Sequence, residues 1–253
     1  MAELLWIFGS AGLTETGRAR QGSAMQDHRS PQPVFNSLPP AVVALAVAIF
    51  AVEVVLTLGA RGIIGGPEAI GWRLVAVQEF SFVSAVLRVF FETGNWSTAE
   101  VQRLVTYPFV HIGFTHAAFV IVFLLALGKM VGEVFGNLAV LILFFACGIF
   151  GAVIYAGLVG DSRPLVGGFP SAYGLIGAYT FLLWVRFRAT GENEWQAFTL
   201  IGFLMAIQLF FGIFFEVGWD WVAEVAGFVF GFVVTPALVP GAFRRFLDRM
   251  RQR

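Results

Sequence analysis

Residues 164–185 read PLVGGFPSAYGLIGAYTFLLWV, and this stretch decides what kind of protein the chain is. Its first part, Pro164 to Pro170, is apolar yet carries prolines at both ends and the adjacent Gly167 and Gly168, a composition that a helix interior does not tolerate. Its second part, Tyr173 to Val185, is an apolar run with helical character. At 1.5 Å per residue that run spans roughly 20 Å, short of the hydrocarbon core of about 30 Å. Irregular backbone at membrane depth persists only where protein or a water-filled cavity covers it. The stretch therefore predicts a helix that starts below the membrane surface behind a re-entrant loop, where membrane proteins commonly build a site.

Five further apolar runs flank it: Leu38 to Leu58, His111 to Val131, Phe135 to Val159, Phe198 to Phe215 and Val222 to Val239. With 58% hydrophobic residues and a mean hydropathy of +0.82, the chain is an all-α membrane protein rather than a water-soluble domain. Its formal net charge of zero says little about partners; the placement of the charges says more. Arg18, Arg20, Arg29, Lys129, Arg186, Arg188 and the five arginines from Arg244 to Arg253 fall on one side of a six-span arrangement, and Arg61, Arg73, Arg88, Arg103 and Arg163 on the other. Eleven against five places both termini in the cytoplasm, which requires an even number of spans. The lone Cys147 lies in an apolar run and excludes a disulfide framework.

The boundaries follow. Residues 1–36 read as a disordered N-terminal tail: Leu4 to Phe8 is too short for a signal-peptide core, and Met25 is an alternative start. Residues 37–243 form the membrane domain, and 244–253 a basic cytoplasmic tail. Within the domain, 61–107 is a long connection in which Phe80, Val83, Leu87, Phe90 and Phe91 recur at helical spacing, with Ser84, Arg88 and Glu92 off the stripe. This predicts an amphipathic helix in the membrane interface. Ser97 and Glu100 form a capping box before a second short helix.

Four local patterns resemble the rhomboid intramembrane serine proteases, the peptidase S54-like family. Arg103 to His111 looks like the family's approach to its second span, and His111 with His116 like the paired histidines that open it. Gly128 and Gly136 are spaced like the glycines around the cytoplasmic turn, with the acidic Glu133 one position later than in the family. Gly167 to Ala178 resembles the active-site strip at the start of the fourth span, its glycines at 167, 174 and 177 all fitting without a gap. Ala223 to Gly231 resembles the last span's pattern, with Gly227 and Gly231 in place. The likeness covers about Arg103 to Gly231; the first span and its loop match in layout only.

The resemblance implies a rhomboid-like six-transmembrane-helix bundle with a re-entrant start to the fourth helix, in the bacterial inner (cell) membrane. It implies that His111, His116, Val120, Gly167 and Gly168 line a cavity and that Gly174, Gly177, Gly227 and Gly231 let helices approach closely. It also places Phe169 where the family has its nucleophilic serine, Glu224 where it has the histidine, and Val120 where it has an oxyanion-binding asparagine. Hydrolysis needs a hydroxyl nucleophile, an adjacent base and oxyanion donors, so the chain reads as a pseudoprotease. No histidine follows His116, so no shift of register restores the dyad.

Alternatives stay open. Ser171 is a fallback nucleophile, but two residues along a helix rotate a side chain roughly 200°, so it faces away from Phe169. A changed register with Glu224 or His116 as base would make an active serine endopeptidase. Glu224 reads as a cap-like acid in the first turn of its helix, as a polar contact to His111 or His116, or as a reactive group. Glu53, inside the first span, reads as paired or protonated. A small proton-coupled carrier using Glu53 and Glu224 is a third class, disfavoured by the lack of repeats between halves. His111 and His116 differ in direction by roughly 140° on a helix, which argues against a shared metal. His28 lies in the tail. No cofactor, metal or nucleic acid is implied; the expected partners are membrane lipid and the transmembrane segments of client proteins.

Overall fold

The computed structural model describes residues 37–94, 98–159, 163–214 and 218–238. The N-terminal tail with Met25 and His28, Ser97 of the capping box and the basic tail 244–253 lie outside the described residues. Nine α-helices are present among those described: α1 Pro40–Ala60, α2 Trp72–Phe80, α3 Ala85–Thr93, α4 Thr98–Thr106, α5 Phe114–Phe135, α6 Asn137–Leu158, α7 Phe169–Thr190, α8 Thr199–Phe214 and α9 Asp220–Leu238. Four of them, α1, α5, α6 and α9, are long and apolar enough to cross a membrane.

The helix beginning in the decisive stretch differs from expectation. It covers Phe169–Thr190, 22 residues or about 33 Å, so its length does not make it short. Pro170 sits in the first turn, where a missing N–H costs nothing and the fixed φ suits a helix. The apolar run looked short because α7 is the central helix: every residue from Pro170 to Ala178 is buried. A helix surrounded by protein needs small and polar residues for packing rather than an apolar coat for lipid. By contrast, α1, α5 and α9 bury only 33–39% of their apolar windows and α6 50%.

The α7–α9 contact explains the glycines. A Cβ at Gly227 would fall on the carbonyl of Pro170, one at Gly231 on the carbonyl of Gly174, and one at Gly177 on the carbonyl of Phe228. Gly174 also faces Cys147 of α6, a buried free thiol. The α5–α6 turn passes through Gly136 at φ +85°, and Asn137 beyond it accepts a hydrogen bond from the Ala41 N–H (3.1 Å), which satisfies a donor at the start of α1.

The stripe from Phe80 to Phe91 does not lie on one helix. It breaks between α2 and α3, where Phe82 forms an isolated antiparallel bridge with Leu165 (Phe82 N–H to Leu165 O 3.1 Å, Leu165 N–H to Phe82 O 2.7 Å). Phe82 and Ser84, both off the anticipated stripe, are buried, while Phe91 on the stripe is exposed. Tertiary pairing to the loop before α7 overrides the helical period here. Arg103 of α4 donates to the Ser81 carbonyl (2.9 Å), fixing the break.

Candidate functional site

The segment between α4 and α5 is pinned from several directions. The Tyr107 hydroxyl donates to the Gly148 carbonyl of α6 (2.7 Å), and the Gly167 N–H donates to the Tyr107 carbonyl (3.1 Å). Arg73 of α2 donates to the His111 carbonyl (2.7 Å). The same guanidinium grips Glu53 of α1 through both oxygens, at 2.7 and 3.0 Å, and Thr57 donates to that carboxylate at 2.8 Å. Glu53 is therefore paired inside the first span, 1% exposed, and a planar fork meeting both carboxylate oxygens is the strong form of such a pair.

This frame sets two imidazoles beside the loop that precedes α7. His111 is fully buried ahead of α5 and its Nε2 accepts from the Gly168 N–H (3.3 Å). A neutral ring that accepts at Nε2 carries its proton on Nδ1, which faces the Phe109 carbonyl; the Nδ1 of His116 has no partner among the described residues. The two rings meet edge to face, centroids 5.2 Å apart. Under them runs Gly167 at φ +90°, where a Cβ would stand 2.5 Å from His116 Cε1. Both the left-handed backbone and the space require glycine. At Gly168 a Cβ would meet Val120 Cγ1 at 2.9 Å, so Val120 closes the next wall with a methyl group.

Phe169, the first residue of α7, projects into this corner. Its ring lies 5.0 Å from His116, 6.5 Å from Phe123 and 6.4 Å from Tyr173. One turn on, the Tyr173 hydroxyl lies against the Glu224 carboxylate, which also accepts from Gln208 Nε2 of α8. Glu224 is the fifth residue of α9, with Asp220 as the acidic residue of its first turn. The cap-like expectation therefore fails by one turn of helix, and the side-chain partners of Glu224 are Gln208 and Tyr173 rather than either histidine.

Ser171 is fully buried on the other face of α7, its Oγ 2.6 Å from where a Cβ of Gly148 would stand. Its hydroxyl has no hydrogen-bond partner among the described residues. The site thus runs from His111 through His116, Phe169 and Tyr173 to Glu224, with Ser171 turned toward α6.

A family model for the Rhomboid domain matches residues 98–241, more than half of the chain. The chain belongs to the rhomboid family. It is a rhomboid-fold integral membrane protein, and the match reaches beyond the motifs to take in α4 and all described residues of α9. Among curated proteins, none matches the chain. In this rhomboid protein the two positions that carry the dyad by resemblance, 169 and 224, stand on either side of Tyr173.

Sequence reasoning missed three residues of this arrangement. Arg73 was one of five cations on its side of the protein, and nothing local tied it to Glu53, 20 residues away. Gln208 had a signal: it is the only amide in the apolar run from Leu200 to Phe214. Tyr173 was visible as the start of an apolar run, but its reach to Glu224 depends on how closely the glycines let α7 and α9 approach.

Proposed function

We propose that this rhomboid protein does not hydrolyse peptide bonds and instead holds the transmembrane segments of other membrane proteins against its α8 side. The observation that carries this reading is the seat of Phe169, whose ring packs 5.0 Å from His116 at the position of the family's nucleophile. Rhomboid-type cleavage needs an oxygen there with a base beside it, and a benzyl side chain offers neither. The position that carries the family's histidine by resemblance offers no imidazole. Glu224 is engaged by Gln208 and Tyr173, and the methyl groups of Val120 replace an oxyanion donor.

In this reading α7 and α8 join α1, α5, α6 and α9 as six crossings, with α7 entered from a re-entrant loop. The burial of Leu165, Gly167 and Gly168 supports the re-entrant path, and the exposed Phe203, Ile207 and Phe210 support a lipid-facing α8. The distribution of arginines supports cytoplasmic termini, and the resemblance supports a bacterial inner membrane. Recognition of transmembrane segments is inferred from the family's fold. The carrier reading loses one of its two carboxylates, because Glu53 is committed to Arg73.

The test is co-purification in detergent with a fluorescent transmembrane substrate. The reading expects the peptide to co-elute intact. A peptide that is cleaved, or that fails to associate, overturns it.

A further inference from the structure

Helix α8 is seated differently from its neighbours. Where α9 meets α7 through backbone-to-backbone glycine contacts, α8 makes its main contacts with the turn Glu194–Phe198. Ile201 is buried on its inner face, with Leu204 and Met205 packed there too, and Gln208 follows at the next helical step. An amide therefore occupies the inner face of an otherwise apolar helix, and it donates to Glu224.

The hydrogen-bond count at this point is unbalanced. A carboxylate has about four acceptor sites, and the described donors reaching Glu224 are the Gln208 amide and the Tyr173 hydroxyl. The Gln208 Oε1 is buried with no partner among the described residues. Acceptors outnumber donors in a place where hydrocarbon supplies neither, and unmet polar groups there favour any donor that reaches them.

We propose that Glu224 and Gln208 form an acceptor-rich notch that selects client transmembrane segments carrying a hydrogen-bond donor side chain within the membrane. The donor replaces Gln208 at the carboxylate, so the amide acts as a built-in competitor that purely apolar segments do not displace. This rests on the reading that the protein binds transmembrane segments.

The experiment uses the full chain in detergent micelles and dye-labelled Leu/Ala helices of about 20 residues, with Leu, Asn or Lys at the centre, read by fluorescence anisotropy. Wild type is expected to bind the Asn and Lys peptides about tenfold more tightly than the Leu peptide. Glu224→Leu should abolish that preference while Leu-peptide binding persists. Gln208→Leu should tighten donor-peptide binding, because the competitor is gone; general misfolding cannot produce that opposite sign. Equal binding of all three peptides to wild type overturns the notch and leaves the binding reading intact. Binding of none overturns both.

Discussion

Removing Arg73 should damage this protein more than removing the whole ion pair of which it is part. In Arg73→Leu the Glu53 carboxylate, 1% exposed within α1, keeps only the Thr57 hydroxyl as a donor, and the His111 carbonyl loses its guanidinium. Stripping one partner from a buried pair costs about 3–5 kcal/mol, whereas replacing both with apolar groups is often close to neutral. Arg73 is itself 21% exposed, which puts the single variant near the lower end, about 3 kcal/mol. At about 2–4 °C per kcal/mol for a chain of this size, that is an apparent Tm lower by roughly 6–12 °C. The double variant Glu53→Leu/Arg73→Leu should recover at least half of the loss. Intrinsic fluorescence of the tryptophans during heating in detergent reads both. A double variant as unstable as the sum of its single variants would refute the argument that the uncompensated charge, rather than lost packing, sets the cost.

Other outcomes follow from the same geometry. Gly231→Ala and Gly227→Ala should each destabilise by about 1–3 kcal/mol through overpacking against backbone, while Gly202→Ala, which meets nothing within 4 Å, should be neutral or stabilising; thermal unfolding compares them. Phe169→Ser combined with Glu224→His should be labelled by a fluorophosphonate more strongly than Phe169→Ser alone, because only the pair restores both positions that carry the dyad by resemblance.

The four long apolar helices α1, α5, α6 and α9 were legible because each must coat itself for lipid, and their ends shifted by only a few residues. The central helix α7 was harder to bound, since burial by protein relaxes the need for apolar residues and hides the helical stretch around Pro170 and Arg186. The loop 61–107 misled for a different reason: Phe82 is placed by pairing with Leu165, 83 residues away, and no local period encodes that. The opposed directions of Phe169 and Ser171 were legible from helical rotation alone. The partners of Glu224 were not, because they depend on where α8 leans against α9.

If no serine of this rhomboid protein serves as a nucleophile, activity-based labelling with a fluorophosphonate leaves the purified wild type unmodified. Ser171 faces α6 with no hydrogen-bonded base among the described residues, so the wild type and Ser171→Ala should both remain unlabelled. Labelling of the wild type that disappears in Ser171→Ala would contradict the claim.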